Sequence, residues 1–146
     1  MRYNYLDIIR RTNLGLSYFM NYLPPPNQHE YYNQVWALVQ QIPSGRVATY
    51  GQITKLLPQP ENISEEDYQL SASRWVGLAM GACPDDVPWQ RVINSQGKIS
   101  HKTEAAKQKS LLKEEGVFFS NDKLNLTQYQ WSGPGQSDGP RQESLF

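Results

Sequence analysis

The sequence predicts a mainly α protein: one small domain built around a helix-turn-helix, with an N-terminal extension and a flexible C-terminal tail. Three observations carry this expectation. At 146 residues the chain is long enough for one ordinary domain with a core and too short for two. Apolar residues recur at helical spacing in several short segments separated by proline- and glycine-bearing breaks. After Trp131 the run SGPGQSDGPRQESLF holds too little apolar surface to fold.

In chain order, Tyr5, Ile8, Ile9, Leu16, Phe19, Met20 and Leu23 form an approximate helical stripe, broken near Asn13 and Gly15. Pro24-Pro25-Pro26 stops regular structure, which sets residues 1–28 apart as an extension. Residues 31–41 read as a helix with Tyr32, Val35, Trp36, Leu38 and Val39 on one face, ended by Ile42-Pro43-Ser44-Gly45. Thr49 caps a second helix over 50–57, which turns Ile53, Leu56 and Leu57 to the core. Residues 58–69 are polar, proline-bearing and acidic (Glu61, Glu65, Glu66, Asp67) and read as a loop or short accessory turn. Ser71 or Ser73 then opens a helix through Met80, with Trp75, Leu78 and Ala79 for packing. These last two helices form the helix-turn-helix, with a connection longer than the usual turn. Val92 and Ile93 precede the turn-forming Asn94-Ser95-Gln96-Gly97, and residues 104–115 return to a helix with a basic face, stopped by Gly116. The domain is thus expected over 29–132 and the tail over 133–146.

Composition excludes little. Fourteen basic residues balance fourteen acidic ones, so net charge announces neither nucleic acid nor membrane. The distribution is more pointed: from Trp89 to Lys113 there are six basic residues (Arg91, Lys98, Lys102, Lys107, Lys109, Lys113) and one acid, Glu104. A basic face can meet phosphate even on a neutral protein. Cys83 is the only cysteine, which excludes an intramolecular disulfide and a cysteine-rich zinc site and suits a reducing compartment. No apolar run approaches membrane-spanning length, and the expected location is cytoplasmic, at the nucleoid in a bacterium. His29 and His101 are far apart and show no metal-ligand spacing. No phosphate-cradling glycine loop is present, and no metal or organic cofactor is expected.

Four motifs, VATYGQITKLL, ASRWVGLAMGAC, VPWQRVINSQGKIS and LLKEEGV, follow one another in that order. Together they resemble the winged-helix-like DNA-binding domain of the O6-alkylguanine-DNA alkyltransferases. The tryptophan in PWQRV and the trailing LNLTQYQW are more similar to the non-enzymatic branch, the alkyltransferase-like proteins. The resemblance covers about residues 30 to 132. Where the enzymes' Pro-Cys-His-Arg motif holds a thiolate and its base, this chain has Trp89 and Gln90, so the resemblance implies no alkyl transfer at this site.

The resemblance further implies a role for each matching residue. Trp89, with Gln90, Arg91 and Lys102 around it, would form a lesion pocket, the indole lying beside the alkyl group. Taken alone, Trp89 reads as an ordinary core tryptophan, and the PWQRV context reverses that preference. Arg74 would enter the base stack in place of a flipped nucleotide, and Tyr50, preceded by Thr49, would push on the 3′ phosphate. An isolated Tyr50 would read as helix packing and an isolated Arg74 as a surface charge. Gly77 either lets its helix approach DNA or packs two helices together. Arg91 and Glu115 are expected to be structural, Lys102 to face the flipped base or a phosphate, and Cys83 to be a packed inert thiol.

The implied partner is double-stranded DNA containing O6-alkylguanine, bound in the minor groove by a monomer that then attracts nucleotide excision repair proteins. The terminal QESLF resembles the peptide by which bacterial repair proteins engage the sliding clamp, through Gln142, Leu145 and Phe146. Two rivals stand beside this reading: an active alkyltransferase using Cys83, and a helix-turn-helix regulator that binds an undamaged sequence.

Overall fold

The structure, a computed structural model, describes residues 25–61, 63–101 and 103–136. Asn27, in the left-handed region at φ 51°, starts helix α1 (Gln28–Val39). Tyr31, Tyr32, Val35, Leu38, Val39 and Ile42 are buried at a spacing of three or four, the stripe that a core-facing helix requires. Thr49 caps α2 (Tyr50–Leu56) as expected, its Oγ1 accepting the Gln52 N–H at 3.0 Å.

Helix α3 (Glu65–Gly81) departs from expectation by beginning six residues before Ser71. Ser64 is its cap, with Oγ accepting the Asp67 N–H at 3.1 Å, and Glu65, Glu66 and Asp67 put negative charge at the positive end of the helix. Glu65, Glu66 and Asp67 are therefore a first turn of helix rather than part of a loop or accessory turn, and the connection from α2 shrinks to residues 57–64, which keep Glu61. Ser71 is buried mid-helix, and Leu78 faces outward instead of packing. The buried face is Tyr68, Ser71, Ala72, Trp75, Val76 and Ala79.

Two short strands, β1 (Ala48–Thr49) and β2 (Val92–Ile93), pair in parallel with Ala48 opposite Val92 and Thr49 opposite Ile93. A 3₁₀ turn, Trp89–Arg91, leads into β2. Helix α4 (Ala105–Glu114) ends in a Schellman arrangement: Val117 N donates to Leu112 O and Gly116 N to Lys113 O, with Gly116 at φ 87°. A hairpin follows, β3 (Phe119–Ser120) with β4 (Lys123–Leu124), joined by Asn121 and Asp122. Both of these turn residues have positive φ, as a two-residue type I′ turn demands. This hairpin is the wing. Gly97, at φ 75°, lets it close: a Cβ there would lie 2.5 Å from the Leu124 carbonyl oxygen.

The last short helix, α5 (Leu126–Tyr129), returns the chain to β1. Val47 N donates to Tyr129 O at 2.9 Å and Trp131 N donates to Val47 O at 2.7 Å, so LNLTQYQW closes the far edge of the 47–49 segment. Trp131 is buried in the main core with α1, α2 and α3, where Trp75 meets Tyr31 edge-on at 5.8 Å between ring centroids. A second buried cluster, Val47, Ile93, Leu112, Val117 and Leu124, joins α4 and the wing to the sheet. The fold is the expected mainly α domain with a helix-turn-helix and wing. Among the described residues no helix is long and apolar enough to cross a membrane.

Candidate nucleic-acid interface

The outward face of α3 is Leu70, Ser73, Arg74, Gly77, Leu78 and Gly81, all exposed and recurring once per helical turn. It is the side opposite the buried stripe, so core packing itself turns Arg74 and Gly77 to solvent. A Cβ built at Gly77 meets nothing within 4 Å. The helix-packing alternative for Gly77 therefore falls, and the residue leaves the helix surface beside Arg74 open to solvent.

Tyr50 is the first residue of α2. It is half-buried and packs against the main core, so the helix-packing reading holds for its inner side while its remaining surface is available. Thr49 is buried and spends its hydroxyl on the cap; it sets where Tyr50 starts rather than offering a contact of its own. Because Thr49 pairs with Ile93, the start of α2 is tied to the strand that follows the Trp89 turn.

Trp89 is half-buried and joins neither buried cluster among the described residues, so it is not an ordinary core tryptophan; Trp75 and Trp131 fill that role. Its ring packs against His101, with centroids 5.8 Å apart and planes at 55°. The turn beneath it is held by side chains. Arg91 gives Glu115 a forked contact, Nη2 to Oε1 at 2.8 Å and Nε to Oε1 and Oε2 at 3.0 and 3.2 Å, and sends Nη1 to the Ile42 carbonyl at 2.8 Å. Gln90 Nε2 donates to Glu115 Oε1 at 2.9 Å. Both pocket candidates next to Trp89 thus turn their side chains to Glu115, and Arg91 and Glu115 have the structural role expected of them.

Burial alone would raise the Glu115 carboxyl, but hydrogen bonds from Arg91 and Gln90, the Arg91 charge and the Gly45 N–H outweigh it and hold the group below its ordinary value. Cys83 behaves oppositely: burial, and then the Asp86 charge, push its thiol up to about 11. At neutral pH only on the order of one such thiol in ten thousand is ionised, which agrees with an inert packed cysteine against the main core.

Much of the basic run is spent internally. Arg91 serves Glu115, Lys109 pairs with Asp122 at 3.3 Å and sits 5.5 Å from the Phe119 ring centroid, and Lys107 lies 3.9 Å from Glu104. Lys98 and Lys113 are exposed and make no ion pair among the described residues. Lys102 lies outside the described residues, as do the first 24 residues and Gln142, Leu145 and Phe146. Among the described residues no cluster of three or more His, Cys, Asp or Glu could hold a metal ion.

Two residues at the site escaped the sequence reading. Gln108, only 3% exposed, donates Nε2 to the carbonyls of Gln90 and Val92 at 3.1 and 2.9 Å, fastening α4 to the Trp89 turn. Its position one turn before Leu112, on the buried face of α4, was the available signal. His101 carried none, because its contact with Trp89 crosses a loop.

A family model described as "6-O-methylguanine DNA methyltransferase, DNA binding domain" matches residues 30–117. The chain belongs to this family. Alkyltransferase-like protein 1 of Schizosaccharomyces pombe is 39% identical over 112 residues, 70% of this chain and 94% of the relative, which places the chain with the alkyltransferase-like members. A DNA base-flipping protein of Vibrio parahaemolyticus is 41% identical over 102 residues, 67% of this chain and 92% of that one. Among solved structures, S. pombe Atl1 in complex with damaged DNA containing O6-carboxymethylguanine matches with a TM-score of 0.57 at 39% identity, covering 70% of this chain and 95% of the other.

Proposed function

We propose that this alkyltransferase-like chain recognises O6-alkylated guanine in double-stranded DNA by extruding the base and holding it against Trp89, without taking the alkyl group. The observation that carries the reading is the half-buried indole of Trp89, outside both buried clusters and mounted on a turn that the Arg91–Glu115 pair and Gln108 make rigid. A binding surface presents its contact group in this way, on a firm base with one side open.

Extrusion costs a few kcal/mol, and less where pairing is already damaged. Alkylation at O6 removes the N1 proton and spoils the Watson–Crick edge, so a lesion leaves the helix more readily than guanine. The missing side chain at the exposed Gly77 lets the DNA backbone come close to α3. Arg74 then fills the vacated place, its planar guanidinium able to stack and to hydrogen-bond the orphaned base. Tyr50 drives the phosphate outward, a rigid ring braced on the core. Lys102 faces the extruded base. The indole carries no thiolate, and the one thiol, Cys83, is held protonated, which argues against the alkyltransferase rival.

The bound complex would be handed to nucleotide excision repair, with Gln142, Leu145 and Phe146 tethering the protein to the sliding clamp in the cytoplasm or nucleoid. Deleting residues 142–146 is expected to abolish clamp binding in a pull-down with purified clamp; unchanged binding would remove that partner.

The central test is fluorescence anisotropy at fixed, near-physiological salt, comparing a duplex containing one O6-methylguanine with the same duplex undamaged. The expected result is a preference of at least about tenfold, largely lost in Trp89→Ala, with the DNA recovered still alkylated. Equal affinity for both duplexes would refute lesion recognition and favour a sequence-binding regulator.

A further inference from the structure

We infer that His101 is a positioning residue for the lesion pocket, holding the Trp89 indole through its ring and the start of α4 through its Nδ1. The inference rests on the lesion-pocket reading of Trp89 and adds a residue to it.

Two separate contacts meet in this side chain. On one side the imidazole packs against the indole at 5.8 Å, tilted by 55°. On the other, Nδ1 accepts the Glu104 N–H at 3.1 Å. That N–H belongs to the residue that opens α4, where the side chain of Glu104 itself supplies no cap. An N-terminal amide here needs an acceptor from elsewhere, and the imidazole nitrogen provides it. With Nδ1 accepting, the ring proton of the neutral form is on Nε2.

The consequence is a closed mechanical loop around the pocket. The Trp89 turn is joined to α4 by Gln108, through the Gln90 and Val92 carbonyls, and α4 is joined back to Trp89 by His101. Arg91 and Glu115 close the other end, from the turn to the residue that caps the C-terminus of α4 and on to Ile42. Without His101 the indole loses its only described aromatic neighbour and keeps a rigid base with a loose top. A loosely held contact group discriminates less well, because its ordering must then be supplied on binding.

Three substitutions separate the two contacts. His101→Phe keeps a ring against Trp89 and removes the acceptor. His101→Asn keeps an acceptor of suitable reach and removes the ring. His101→Ala removes both. Each is compared with wild type in three measurements: thermal melting, Trp89 emission taken as the difference from the matching Trp89→Phe background, and anisotropy on the O6-methylguanine and undamaged duplexes.

His101→Ala and His101→Asn are expected to shift the Trp89 emission to the red and cut the preference for the damaged duplex about fivefold, the scale of one aromatic contact. His101→Phe is expected to retain emission and preference while melting lower, and His101→Asn to melt higher than His101→Ala. Unchanged Trp89 emission in His101→Ala would overturn the inference, and so would a red shift with undiminished preference. A wild-type protein that binds both duplexes equally would refute the lesion reading and the selectivity role together. In that case the emission of the free variants alone decides whether His101 holds the indole.

Discussion

Glu115→Ala is expected to lower the stability of the folded domain by about 3 kcal/mol, read as a fall in Tm of about 10 °C. The carboxylate takes the forked contact of Arg91 and the amide of Gln90, and the side chains of the ion pair are only 18% and 12% exposed. Removing the acid leaves a guanidinium in a place built for its counter-charge, and loss of one partner of such a pair costs more than the pair contributes. Arg91→Ala should fall by a similar amount, and the double substitution by clearly less than the sum, since both remove one coupled contact. A Tm change below about 2 °C for Glu115→Ala would show that the network does not support the turn.

The same group gives the domain a defined acid limit. Its folded-state value lies below the ordinary one near 4.5, so the unfolded chain binds the proton more readily. Its contribution is complete above about pH 5 and is lost as pH falls through the folded-state value. Glu115→Gln is therefore expected to flatten the acid side of the stability profile and to leave its shape above about pH 6 unchanged. An unchanged acid limb in denaturant titrations would contradict this.

Arg74→Ala is expected to weaken binding to the O6-methylguanine duplex by about 2 kcal/mol, roughly thirtyfold in Kd, while Tm moves by no more than about 2 °C. Arg74 lies on the exposed face of α3, away from the buried stripe, so its removal opens no cavity. In the proposed role the guanidinium fills a gap in the base stack; Arg74→Lys keeps the charge but not the planar fork and should recover only part of the affinity. Equal weakening on damaged and undamaged duplexes, fully restored by lysine, would mean that Arg74 is a phosphate contact. A Tm fall matching that of Glu115→Ala would mean that it is structural.

The two predictions give Glu115 and Arg74 different work, one under the Trp89 turn and one at the proposed DNA-facing surface, and the difference follows from where the fold places them. Arg74 and Glu115 are both charged residues within helical patterns. One ends on the solvent face of α3 and the other at the end of α4, against the turn that carries Trp89. Local sequence does not distinguish them.

Local chemistry by itself determined much of the fold: the apolar stripe of α1, the Thr49 cap, the turn at Asn94–Gly97 and the stop at Gly116 each act within a few residues of where they are written. The ordered motifs likewise pointed to the family. Local rules erred at α3, where Glu65, Glu66 and Asp67 read as part of a loop or short accessory turn although Ser64 and the helix dipole make them a favourable first turn. Only the tertiary structure decided the rest. It spent Gln90 and Arg91 on Glu115, left Gly77 open to solvent, sent LNLTQYQW back along the 47–49 segment, and brought His101 to Trp89. Each of these depends on which distant element closes against which, and such contacts are set by the burial of two shared cores rather than by the propensity of any one segment.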